Sequence, residues 1–153
     1  MANSHTQIYL QFVFAVKKRE ALIHPLWENR MYDYISGIIH SERNILLAIN
    51  GVADHIHLLV RMHPTNSPSN LAKVAKAKTS KWINEEILGV NRFYWQEGYG
   101  CFSYSHSQVP RVIGYIKKQK QHHAQTTFKE EYLDILKKAE IAFEEEYVFD
   151  FLD

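Results

Sequence analysis

The stretch Ala53-Asp54-His55-Ile56-His57-Leu58-Leu59-Val60 decides the reading of this chain. Side chains alternate between the faces of an extended strand, so Ile56, Leu58 and Val60 point one way while His55 and His57 point the other. One face is dry and enters a core. The other carries two imidazoles whose roots lie roughly 6.5 Å apart, within reach of a single metal ion. Two histidines alone do not make a catalytic site, because a third ligand and a reacting group are still missing.

The neighbouring segments place that strand in a sheet. Residues 7–16 alternate cleanly, with Ile8, Leu10, Phe12, Phe14 and Val16 on one face and Tyr9, Gln11 and Val13 on the other, which predicts a strand. Pro25 opens a helical pattern in which Trp27, Met31, Tyr34, Ile35, Ile38 and Ile39 recur, to about residue 41. Residues 44–50 predict a second strand, Asn50-Gly51 and the residues to Asp54 a tight connection, and residues 55–62 the third strand. After a Pro/Ser/Asn loop, Ser69 or Asn70 caps a helix that runs to about Leu88 and ends at Gly89. Residues 95–100 are irregular and aromatic, and residues 102–105 form a short fourth strand. Ser107 then caps a helix through about His122, with Pro110 in its first turn, and residues 128–139 make a last amphipathic helix before an acidic tail. This order predicts an α+β fold: a ferredoxin-like βαββαβ antiparallel sheet with helices on one face and the other face free, plus a C-terminal catalytic helix and tail.

Length and composition agree. A chain of 153 residues with 46% apolar and 13% aromatic content reads as a single globular domain over residues 1–153. With 18 basic and 17 acidic residues, total charge does not announce a nucleic-acid binder. Much of the acid, however, lies in the last quarter, including Glu144, Glu145, Glu146, Asp150 and Asp153, which leaves a basic body. Cys101 is the only cysteine, so an internal disulfide is excluded and a reducing compartment suits the chain. No apolar run approaches the ~18–20 residues that span a bilayer. The expectation is a cytoplasmic protein with no membrane partner.

The chemistry comes from a second motif. Tyr115 and Gln119 stand four apart in a predicted helix and share a face. Laid near His55 and His57, that face offers an amide oxygen from Gln119 as third ligand and a phenol beside the ion. Two imidazoles and one amide oxygen leave positions open for a phosphate oxygen. A divalent cation there acts as a Lewis acid on a phosphodiester and favours the phenolate, a competent nucleophile. Attack by Tyr115 then yields a phosphotyrosine link and a free hydroxyl, a reversible exchange of one phosphate ester for another.

These residues resemble the single-tyrosine HUH transposases of the insertion-sequence-200-like group. His55-Ile56-His57 matches the HUH motif and Tyr115 to Gln119 the Tyr-x-x-x-Gln motif. Trp95-Gln96-Glu97-Gly98-Tyr99-Gly100, Gln121-His122-His123 and Phe128-Lys129-Glu130-Glu131-Tyr132 resemble further stretches of that family, in order and over nearly the whole chain. The resemblance implies a ferredoxin-like core, a homodimer with the tyrosine helix often serving the partner's histidines, and Mg2+ or Mn2+ as cofactor. It also implies single-stranded DNA hairpins as substrate. Tyr115 is then the nucleophile that forms a 5′-phosphotyrosine, and His55, His57 and Gln119 hold the metal.

Other residues carry weaker signals. Lys73, Lys76, Lys78 and Lys81 crowd one helix, and Lys117, Lys118 and Lys120 flank the nucleophile. As a group they suit a phosphate backbone, while any one of them suits a solvated face. Trp95, Tyr99, Phe102 and Tyr104 offer rings for unpaired bases or for a core. The candidate DNA contacts are Lys73, Lys76, Lys81, Lys117, Lys118 and Tyr99. Asp54 suits either a turn or an acceptor for an imidazole N–H. The remaining histidines, His122 and His123 among them, read as surface or capping residues. Three competing readings remain: a nucleic-acid-binding regulator without chemistry, a phosphodiesterase that activates water, and a closed structural metal site.

Overall fold

A computed structural model describes residues 4–152; residues 1–3 of the polar N-terminal run and Asp153 of the acidic tail lie outside the described residues. The elements are β1 (Tyr9–Ala15), α1 (Pro25–Ser41), β2 (Ile45–Val52), β3 (His55–Arg61), α2 (Pro68–Trp82), β4 (Gly100–Tyr104), α3 (Val109–Lys117), α4 (Gln119–His122) and α5 (Phe128–Lys138). The strands form one antiparallel sheet in the order β2-β3-β1-β4, the predicted ferredoxin-like arrangement. Crossing between β1 and β2 requires α1, and β3 slots between them. The two central strands are therefore β1 and β3, in a register that pairs Ala15 with His55 and Val13 with His57.

The alternation of β1 and β3 sorts their residues into two cores. Phe12, Phe14, Ile56, Leu58 and Val60 face α1 and α2 and form the larger one with Met31, Ile35 and Leu71. The opposite face was expected to be free, and it is covered. Val13 and Ala15 lie beneath Phe128, Tyr132 and Leu136 of α5, and Leu59 lies beneath Val109, Val112 and Ile116 of α3. Both central strands carry apolar residues on this face, so water exclusion draws the late helices onto it. The acidic tail joins in, with Phe149 packed on Phe128 and Tyr132.

Local chemistry moved several boundaries. Ser67, rather than Ser69 or Asn70, caps α2, its hydroxyl accepting from the Asn70 N–H at 3.1 Å. The helix then widens into a π turn, Ile83–Leu88, and stops at Gly89 in the left-handed region, φ 69°. Ser105, rather than Ser107, caps the turn His106–Gln108 that leads into α3. Asn50-Gly51 is not the hairpin turn: β2 continues to Val52, and Ala53-Asp54 makes the connection. Gly51 is needed inside the strand, because a Cβ there would run into the His55 carbonyl oxygen and sit 2.7 Å from the Ile56 Cα. Among the described residues no helix is long and apolar enough to cross a membrane.

Candidate active site

The side chains of His55 and His57 lie on the α5 side of β3, and both residues are fully buried. Glu131 of α5 reaches down between them. Its Oε1 lies 3.1 Å from Nε2 of His55, 3.1 Å from Nε2 of His57 and 2.9 Å from Nε2 of His123. Its Oε2 accepts from the Tyr115 hydroxyl and, at 2.8 Å, from Gln119 Nε2. The four site residues expected from the two motifs therefore meet within one chain, joined through a carboxylate that the motifs did not include.

Each group is held by a partner of its own. His55 donates from Nδ1 to Asp54 Oδ1 at 2.7 Å, and its ring stacks on Phe128 with centroids 3.8 Å apart. Asp54 thus serves the imidazole as well as the hairpin turn. Gln11 Nε2 donates to His57 Nδ1 at 2.8 Å and is itself fixed by the Tyr104 hydroxyl, which donates to Gln11 Oε1 at 2.7 Å. His123 donates from Nδ1 to the Thr126 carbonyl at 2.7 Å. The expected single helix bends at Lys118, whose N–H is shared between the carbonyls of Gly114 and Tyr115. Asn50 ties this bend to β2 by donating to the Lys117 carbonyl at 3.0 Å. Tyr115 and Gln119 keep their shared face across the bend.

A family model described as "Transposase IS200 like" matches residues 4–119. The chain belongs to the IS200-like transposase family. None of the curated proteins matches it. Among solved structures, a protein assigned as a transposase from Deinococcus radiodurans R1 is similar at a TM-score of 0.63 and 16% identity, over 78% of this chain and 95% of that one. A REP-associated tyrosine transposase bound to a REP hairpin is similar at a TM-score of 0.60 and 11% identity, over 82% of this chain and 76% of that one. At these identities the two structures share the fold.

The electrostatics of the transposase site centre on Glu131. Burial opposes its ionisation, and the hydrogen bonds from His123, His55 and His57 more than reverse that, so the carboxyl is held far below the usual range. Burial likewise lowers the pKa of His55, yet Asp54 and Glu131 outweigh it and the ring is held above its ordinary value. His57 goes the other way, because burial dominates and keeps it neutral. Burial and the adjacent Glu131 charge push the Tyr115 phenol well above its ordinary value, so the chain's own groups keep it protonated. One observation bears directly on a metal ligand: Gln119 Oε1 is buried and has no hydrogen-bond partner. An amide oxygen left unsatisfied in this position is the donor a hard cation takes.

The expected DNA contacts divide between two places. Lys117 and Lys118 are exposed at the end of α3, beside Tyr115. Lys73, Lys76 and Tyr99 instead line a groove of about 450 Å³ between α2 and residues 94–99, in the α1/α2 layer. Within it Lys76 is committed, donating to the carbonyls of Gln96 and Gly98 at 2.6 Å each. Lys81 is exposed on α2. Phe102 belongs to the core and Tyr104 is bonded to Gln11, whereas Tyr99 lines the groove together with Trp95, whose ring is otherwise packed into the larger core.

Two residues escaped the motif reading. His123 reads in sequence as a surface histidine, and Glu131 as one of several acids. The detectable signal was the phase of α5: Phe128, Glu131, Tyr132 and Leu136 fall on one stripe, and a carboxylate on an apolar stripe must have a buried partner.

Proposed function

We propose that this transposase cuts and rejoins single-stranded DNA through Tyr115, using a divalent cation. The observation that carries the reading is the convergence of Tyr115, Gln119, His55 and His57 on one buried point of a single chain. Attack of the Tyr115 oxygen on a phosphodiester forms a phosphorus–oxygen bond and breaks the bond to the 3′ oxygen. The products are a 5′-phosphotyrosine and a free 3′-hydroxyl, and attack by another 3′-hydroxyl reverses the step. No external energy is needed, since each ester bond broken is replaced by another.

Glu131 Oε2 accepts the phenolic proton's hydrogen bond and fixes the direction of attack, while Gln119 holds the same oxygen from the other side. His55, His57 and the free amide oxygen of Gln119 would hold the cation, Mg2+ or Mn2+. When bound, the ion supplies Lewis-acid stabilisation of the phosphate charge and favours the phenolate. Burial and the Glu131 charge hold the proton on the Tyr115 phenol, and a bound cation would offset both. Tyr115 serves the histidines of its own chain, so a homodimer of such chains carries two complete sites.

A hairpin-bearing single strand is the substrate that fits best, in line with the hairpin bound by the similar REP-associated transposase. Lys117 and Lys118 contact its backbone beside the scissile phosphate, and Lys73 and Tyr99 hold an unpaired segment in the α2 groove. The test is to incubate the protein with labelled hairpin DNA and look for a denaturation-resistant protein–DNA species. Wild type forms it only with a divalent ion, and Tyr115→Phe forms none while still binding the DNA. An adduct on the Phe variant would place the nucleophile elsewhere.

A further inference from the structure

We propose that the cation site extends beyond His55, His57 and Gln119 to His123 and Glu131, a set of three imidazoles and one carboxylate that selects a manganese-, cobalt- or zinc-type ion over magnesium. This rests on the reading that His55 and His57 hold a divalent cation.

The first support is placement. One ligand atom from each of His55, His57, His123 and Glu131 can be chosen so that all four lie within 4.8 Å of one another. Glu131 and the two strand histidines are buried, and the His123 side chain is 6% exposed.

The second support is the direction in which the rings present their lone pairs. His55 and His123 each donate Nδ1–H to a group that can only accept, the Asp54 carboxylate and the Thr126 carbonyl. In their neutral forms both rings then aim an Nε2 lone pair at Glu131 Oε1, 3.1 and 2.9 Å away. Lone pairs of three centres facing one another repel unless protons or a cation lie between them. Rings anchored at Nδ1 with a free Nε2 are in the tautomer that binds metal. Ligation by His57 requires its proton on Nδ1, and the Gln11 amide supplies the acceptor when its oxygen faces the ring.

The third support is ligand chemistry. Magnesium prefers oxygen donors and keeps several waters, whereas imidazole suits first-row transition ions. With Gln119 as a fifth donor, a six-coordinate ion still has a position for a phosphate oxygen. Glu131 then binds the ion through one oxygen and orients Tyr115 through the other, so the residue that orients the nucleophile is itself a ligand.

The experiment strips the full chain with a chelator and titrates Co2+, following its visible absorption, with Mg2+ as competitor. Millimolar Mg2+ should leave Co2+ bound, and His123→Asn and Glu131→Gln should each weaken binding at least ~10-fold and change the spectrum. Glu131→Gln removes the centre of the hydrogen-bond cluster, so wild type provides a readout independent of variant folding. With histidine 15N labelling and Zn2+ in place of Co2+, the Nε2 resonances of three rings should shift, His123 included. Two shifted rings, or unchanged Co2+ affinity and spectrum in folded His123→Asn, would overturn the ligand set. Three shifted rings in a protein that forms no DNA adduct would instead keep the ligand set and remove the transesterification reading.

Discussion

Glu131 shows how much one residue can concentrate. Its two oxygens take contacts from His55, His57, His123, Tyr115 and Gln119, in a place where an isolated charge would be heavily penalised. Replacing it with Gln keeps the shape and removes the charge that His55 and His123 face. Glu131→Gln is expected to cost about 3 kcal/mol in urea denaturation at pH 7 without added metal. The pH dependence has a definite sign. A carboxyl whose folded pKa lies below its unfolded value of ~4.3 stabilises above that pH and loses its contribution as pH falls through the folded value. The gap between wild type and Glu131→Gln should therefore be full at neutral pH and shrink as pH drops below ~4. A gap that widened in acid would contradict the assignment.

At the scale of elements, the hairpin of β2 and β3 does most of the positioning. It sets His55 and His57 two residues apart on the buried face, and its two-residue connection places Asp54 against the first imidazole. The close approach of the strands at Gly51 is part of that geometry. Gly51→Ala puts a methyl group against the His55 carbonyl and the Ile56 backbone, neither of which can move without shifting the histidines. It is expected to cost at least ~2 kcal/mol of stability, read by thermal or urea unfolding, and to reduce cation binding along with it. A variant as stable as wild type would mean that the hairpin can slide without harm. The bend at Lys118 matters for the same reason. Gln119 and His123 follow the bend while Tyr115 stays on α3, and the Asn50 side-chain amide, which only the folded hairpin can offer, holds the bend by donating to the Lys117 carbonyl.

Over the whole molecule, the site lies between the sheet and a lid of late elements. Phe128 stacks on His55, Tyr132 and Phe149 pack behind it, and the Gln96 amide grips the backbone of Asp150 through both its oxygen and its nitrogen. The C-terminal segment, acidic in composition, thus backs the ring that stacks on His55. Phe149→Ala should lower stability by about 3 kcal/mol and raise hydrogen exchange across α5. Unchanged exchange in α5 would show that the tail packs without supporting the site.

Much of this was legible beforehand because it is local. The period-two alternation of residues 7–16 and 55–60 assigns each side chain to a face, and the four-residue spacing of Tyr115 and Gln119 puts both on one side of a helix, whatever the rest of the chain does. The order of strands and helices then narrowed the topology to the ferredoxin-like sheet that was found. The covered second face, the displaced hairpin turn, and the arrival of His123 and Glu131 at the histidines were decided only in three dimensions. Each depends on where distant segments pack: Glu131 is 76 residues from His55, and no local periodicity encodes a meeting across that separation. Burial made that meeting binding, since a carboxylate drawn under a sheet face must find the imidazoles there or forfeit its charge.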